Sequence, residues 1–168
     1  MWYVVQVRTG TEENIRIQCE KLIDGRIMEK CFIPYYQEKK KYEGSWHTLE
    51  RVLFPGYVFI ITDFIEELYE ALRDVMGMTK VIGTGKEIVP LTDEEVNLLL
   101  RLGKESQMVE MSIGRIENGI LKITDGPLVG MEEFVKKIDR HKRKCWLEME
   151  MFGRTLTMQV GLEVVSKS

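Results

Sequence analysis

Along residues 1–100 the apolar positions switch repeatedly between a period of two and a period near 3.6. Residues 2–8 are rich in aromatic and β-branched side chains and predict a strand. Thr9 with Glu12 three residues later has capping-box spacing, and Ile15, Cys19, Leu22 and Ile23 then recur on one helical face until Asp24 and Gly25 end it. A strand is expected at 31–37, a hydrophilic and mobile hairpin tip at 38–45, and a returning strand at 46–53. Residues 56–62 are almost continuously apolar, as a central strand requires. Asp63 with Glu66 opens a second helix through Leu68 and Leu72, and a short strand follows at 80–82. Thr92 with Glu95 then caps a third helix whose apolar face is Val96, Leu99 and Leu100. This order predicts an α+β sandwich with an antiparallel or mixed sheet and flanking helices.

Beyond a polar stretch at 103–112, which reads as a linker, helical periodicity disappears. Residues 120–124 predict a strand, and Asp125, Gly126 and Pro127 supply turn chemistry. A second strand is expected at 131–138. At 145–151 Leu147, Met149 and Met151 alternate with Trp146, Glu148 and Glu150, and after a turn at 152–154 Leu156, Met158 and Val160 alternate with Thr155, Thr157 and Gln159. Strands this short bury a core by curling into a small barrel. The domain scheme is therefore 1–103, a linker at 104–112, and 113–168.

Composition adds limits. The chain has 168 residues, 44% of them hydrophobic. None of its apolar runs approaches the roughly 20 residues of a membrane span, and no charged-then-apolar leader opens it, so a soluble, cytoplasmic protein is expected. Cys19, Cys31 and Cys145 are odd in number and widely spaced, with only His47 and His141 to complement them. They predict buried thiols, with neither a disulfide framework nor a metal site.

Charge changes the picture more. The net charge is −3, yet residues 113–168 hold ten Lys or Arg against eight Asp or Glu, and residues 1–112 hold the remaining fourteen against nineteen. The excess is concentrated in residues 136–144, where Lys136, Lys137, Arg140, Lys142, Arg143 and Lys144 face a single acid, Asp139. So local a field in an acidic chain suits one short contact with a polyanion, nucleic acid first, although a solvated hairpin has the same composition. All six cations can neutralise phosphates. Arg140 and Arg143 can also make bidentate contacts to guanine edges or stack on unpaired bases, and His141 can stack or donate. Because strand side chains alternate, Lys136 and Lys137 are expected on opposite faces. Arg154 and Lys122 are lesser additions, and Lys39, Lys40 and Lys41 form a weaker basic patch that a solubilising hairpin tip would also explain.

The tail resembles the KOW domain, a small SH3-like barrel, in Leu121 to Leu128 (LKITDGPL), Val135 to Asp139 (VKKID) and Met151 to Arg154 (MFGR). The front resembles the NGN domain of the NusG/Spt5 transcription elongation factors in Trp2 to Val5 (WYVV), Phe54 to Phe59 (FPGYVF) and Pro90 to Val96 (PLTDEEV). The two resemblances follow the family's domain order and span essentially the whole chain. There are departures. Glu133 stands where a KOW turn has glycine, and Tyr69 stands where the second NGN helix has tryptophan. The basic run together with the flanking KOW segments is similar to the LoaP-type antiterminators, specialised paralogues within the family.

That resemblance implies an NGN domain at 1–103 that grips RNA polymerase and a KOW domain at 113–168 that binds a structured hairpin in the nascent leader RNA. Tyr3, Phe54, Tyr57 and Tyr69, joined by Trp2, would form the patch for the clamp helices of the largest polymerase subunit, although core packing suits Trp2 and Phe59 better. The RNA would be held by Lys136, Lys137, Arg140, His141, Lys142, Arg143, Lys144 and Arg154. Regular A-form RNA hides its major groove, so the target needs a bulge or loop. Two alternatives stand beside this reading: a general elongation or pausing factor whose KOW domain binds protein, and a ribosome-associated KOW protein. The expected state is a monomer without cofactor or metal, with the ribosome or other elongation factors as further partners. No catalytic constellation is present. Gly83, Thr84, Gly85 and Lys86 only superficially suggest phosphate binding, since they lack P-loop spacing and its closing Ser/Thr.

Overall fold

Among the described residues the chain forms twelve strands and three α-helices. The computed structural model describes residues 1–75, 78–81 and 90–168. In chain order the elements are β1 (Trp2–Val7), α1 (Glu12–Leu22), β2 (Lys30–Phe32), β3 (Tyr35–Tyr42), β4 (Ser45–Val52), β5 (Tyr57–Ile61), α2 (Ile65–Ala71), β6 (Met78–Val81), α3 (Asp93–Gly103), β7 (Met108–Val109), β8 (Ser112–Glu117), β9 (Ile120–Asp125), β10 (Val135–Asp139), β11 (Lys144–Met151) and β12 (Arg154–Lys167). The expected strand at 80–82 is β6 as far as Val81, and the segment Gly83 to Lys86 lies outside the described residues. None of the described helices is long and apolar enough to cross a membrane.

The strands divide into two compact units that interleave in sequence. One comprises Met1–Ile33 and Phe54–Val96, the other Pro34–Leu53 and Asn97–Ser168. Thus the β3–β4 hairpin clusters with the C-terminal strands.

The first unit is an antiparallel sheet ordered β2-β5-β1-β6, which gives β5 a partner on each side and explains its unbroken apolar run. Val58, Phe59 and Ile60 are fully buried, and α1 lies against β2 and β5 with Ile15 and Cys19 inward. The capping box at Thr92 forms as expected: Glu95 N–H donates to Thr92 Oγ1 at 3.1 Å, and Thr92 N–H donates to Glu95 Oε1 at 2.9 Å. The one at Thr9 does not. Gly10, at φ +97°, tightens the entry so that α1 starts at Glu12, whose carboxylate turns back to the Gly10 N–H at 2.6 Å. At α2 the N–H of Phe64 donates to Thr62 Oγ1 at 2.9 Å, so Thr62 satisfies the donor beside the helix start in place of Asp63.

In the second unit the stretch expected as a mobile tip is mostly strand. The β3–β4 ladder runs to Tyr42 opposite Ser45, leaving only Glu43 and Gly44 as the turn, with φ of 52° and 80°. Two consecutive left-handed residues match the twist of the flanking strands. The C-terminal strands form a sheet ordered β10-β11-β12-β8-β9, with β12 parallel to β8 and every other pair antiparallel. Cys145, Leu147 and Met151 of β11 and Met158, Val160 and Leu162 of β12 are buried.

The expected closed barrel is not seen as a ladder: among the described residues no pairing joins β9 to β10. Part of the predicted 131–138 strand is instead a 3₁₀ turn at Glu132–Phe134. The Glu132 carboxylate accepts the Ile123 N–H at 3.0 Å, so a side chain satisfies that β9 donor. The same turn accommodates Glu133 where a glycine was expected, while the left-handed position falls to Gly130 at φ +83°.

Candidate nucleic-acid interface

Residues 136–144 form the end of β10, a four-residue loop and the start of β11. The ladder closes with Ile138 opposite Cys145 and Asp139 opposite Lys144. Asp139 Oδ1 accepts the Lys142 N–H at 2.9 Å, and Arg143 N–H donates to the Arg140 carbonyl at 3.3 Å. The hydrogen bond from the Lys142 N–H, followed by the nearby charges of Lys142, His141 and Lys137, holds the Asp139 carboxyl below its usual range. Arg143 sits at φ +54°, and its carbonyl accepts the Leu162 N–H at 3.0 Å, tying the loop to β12. Arg140, His141 and Lys142 are exposed at the tip.

The other cations of the run have different surroundings. The Arg143 guanidinium lies 3.7 Å from the centroid of the Trp46 ring and 3.5 Å from Glu163 Oε1. Lys144 Nζ donates to Gln159 Oε1 at 2.9 Å and lies 3.7 Å from Glu38. Lys137 Nζ sits over Trp146 at 4.7 Å. Lys136 and Lys137 are both exposed, because a register shift between Val135 and Lys137 breaks the alternation that would have put them on opposite faces. Glu133, Glu148 and Glu150 line a groove of about 280 Å³ with Lys136 and lower its appeal as a phosphate contact. Arg154 is exposed opposite Met151, at the other end of the β11–β12 ladder. At about 3.3 Å per residue it is roughly 20–25 Å from the loop along the strand. The structure thus gathers Arg140 to Lys144 and separates Arg154 from them.

The aromatic set of the first unit is largely interior. Phe54 is 2% exposed and Tyr57 8%, and Tyr3 is buried, which raises its phenol pKa. The Phe54 ring meets Phe59 at 5.6 Å, Phe59 stacks on Phe32 at 5.5 Å, and Phe32 meets Trp2 edge-on at 5.1 Å. Tyr69, at 46%, is the exposed one of the four patch residues. Phe54 and Tyr57 flank the Pro55–Gly56 bend that leads into β5, and both are buried there. The three thiols are free and buried, as expected. Desolvation pushes Cys145 up to about 12, and the hydrogen bond that the Cys31 thiol donates to Cys19, together with burial, raises Cys31.

Sequence reasoning missed Trp46, Glu38 and Glu163 as neighbours of the basic run. An exposed tryptophan close to a lysine triplet was the available signal, but it lies 97 positions from Arg143.

Comparison with known proteins bears on the whole chain. The family profile described as "Transcription termination factor nusG" matches residues 1–100. The chain belongs to the NusG family. The Transcription termination/antitermination protein NusG of Halalkalibacterium halodurans is 28% identical, with 99% of this chain and 97% of that one covered. Its Campylobacter jejuni counterpart is 26% identical over 99% and 96%. The solved structure described as "Domain interaction in Thermotoga maritima NusG" superposes with a TM-score of 0.63 at 27% identity, covering 97% of this chain and 93% of that chain. The NusG-like mixed α/β fold and the assignment to transcription termination/antitermination rest on these likenesses.

Proposed function

We propose that this NusG-family chain is a specialised antitermination factor of the LoaP type, acting on transcription and carrying out no catalysis. In this reading residues 1–103 are the NGN domain that docks on the clamp helices of RNA polymerase, 104–112 the linker, and 113–168 the KOW domain that recognises a structured hairpin in the nascent leader RNA. The observation that carries it is the β10–β11 loop, where Arg140, His141 and Lys142 are exposed together on a turn braced by Asp139. A rigid cationic tip suits backbone capture, and the guanidinium of Arg140 adds base-edge recognition that lysine cannot supply. The sequence-selective part of the contact needs bases freed from the A-form stack, so the target carries a bulge or loop.

The test is selection of bound RNA on the full chain, followed by affinity measurements at several salt concentrations. A shared hairpin bound well above the non-specific level, with a log–log salt slope of a few ions, supports the reading. Binding of RNA no better than an unrelated duplex overturns it. It would leave a general NusG-like factor with a protein-binding KOW domain.

A further inference from the structure

Beyond the basic loop, the hairpin of the same compact unit brings an aromatic surface beside it. Trp46, on β4, is 40% exposed even though the Arg143 guanidinium stacks on its ring at 3.7 Å. Arg143 is itself held by Glu163, and Glu163 Oε2 also lies 3.7 Å from Lys39 Nζ. In the β3–β4 register Lys41 stands directly opposite Trp46, and Lys39 is two residues from it on the same face. Tyr42 and His47, whose rings stack at 3.7 Å, belong to the other face of the hairpin and are excluded by that alternation.

A half-exposed tryptophan clamped by a guanidinium, with Lys41 on its own strand pair and Arg140 and Lys142 on the neighbouring loop, matches what unpaired nucleic acid requires. A flat π-face receives a base, and cations track the phosphates on either side. The clamp also removes ring and side-chain freedom before a ligand arrives, which lowers the ordering cost of binding.

We infer that Trp46 is a base-stacking platform for a nucleotide extruded from the RNA hairpin, with Arg143 fixing the ring and Lys41 contacting the adjacent phosphate. This rests on the RNA-binding reading above and extends the interface from the C-terminal loop to the β3–β4 hairpin. The ligand class is RNA with an unstacked base, in contrast to plain duplex.

The experiment uses the full chain and a pool of RNA hairpins with a randomised apical loop carrying 5-iodouridine, selected on the wild-type protein, with a blunt duplex of the same stem as control. The expected result is a photo-crosslink to the tryptic peptide that contains Trp46. Trp46→Ala should lose about tenfold in affinity for the looped hairpin and nothing on the duplex, the loss of one base–aromatic stack. Trp46→Phe should stay within about threefold of wild type, since it retains a π-face. If the wild-type chain binds the looped hairpin while Trp46→Ala binds it equally well and the crosslink maps elsewhere, this inference is overturned and the RNA reading stands. A Trp46→Phe variant that is folded by circular dichroism yet as weak as Trp46→Ala also overturns it, as does equal competition by single-stranded DNA of the loop sequence. If the wild-type chain prefers no looped RNA over duplex, the RNA reading itself falls.

Discussion

The carboxylate of Glu12 reaches the backbone N–H of Gly56 at 3.3 Å, across 44 positions of sequence, from a side chain that is itself buried. The same carboxylate accepts from Gly10, so one acid fastens the entry of α1 to the bend between Phe54 and Tyr57. Glu12→Ala leaves two donors without this acceptor and should cost about 1–3 kcal/mol in urea denaturation. Glu12→Gln keeps an acceptor oxygen and should cost less than Glu12→Ala.

Phe54→Ala should destabilise the protein by about 3–5 kcal/mol, the cost of an aromatic cavity, because Phe54 lies against Phe59 in the interior. Tyr69→Ala removes an exposed side chain and should leave the melting temperature within about 2 °C. If Tyr69 docks on polymerase, co-purification with the enzyme should fall in Tyr69→Ala while RNA affinity is unchanged.

Arg140→Ala and Arg143→Ala should differ in kind. Both should weaken binding to the cognate hairpin by about 1–3 kcal/mol. Arg143→Ala alone should also lower stability, by about 0.5–1 kcal/mol, since it gives up the Trp46 stack as well as the Glu163 pair. Parallel filter-binding and thermal-melt measurements separate the two.

Gly126→Ala should be strongly destabilising. The residue is at φ +100°, and an added Cβ would sit 2.6 Å from both Cα and Oγ of Ser112. Ser112 cannot withdraw freely, because its hydroxyl accepts the Leu128 N–H at 3.1 Å. A loss of at least about 2 kcal/mol is expected from calorimetry.

The loop turn has a defined acid limit. The Asp139 carboxyl is held below its ordinary value, so its contribution is fully present above the unfolded pKa of about 3.9 and is lost as pH falls through the folded value. Between pH 5 and 8 the Lys142 amide resonance should therefore show no Asp139 titration, and it should move only at lower pH. Asp139→Asn should abolish that movement.

Much of the fold was legible because its causes are local. Thr92 and Glu95 are three residues apart and form the predicted box, and the alternation of Leu147 with Glu148 fixes which face of β11 is buried regardless of what covers it. Turn chemistry located the bend at Gly126 for the same reason. The basic run was equally plain, since charge is counted without knowing the fold.

Tertiary structure decided which of those charges point outward. Arg143 and Lys144 differ from Arg140 and Lys142 because Trp46, Glu38 and Glu163 are brought to them by the hairpin lying beside β12, a juxtaposition set by packing between elements remote in sequence. It also turned Phe54 and Tyr57 inward and replaced the first part of a predicted strand with the Glu132–Phe134 turn. Periodicity reports which side of an element is apolar. Which partner meets that side, and which cation finds an acid, depends on long-range register that no local pattern encodes.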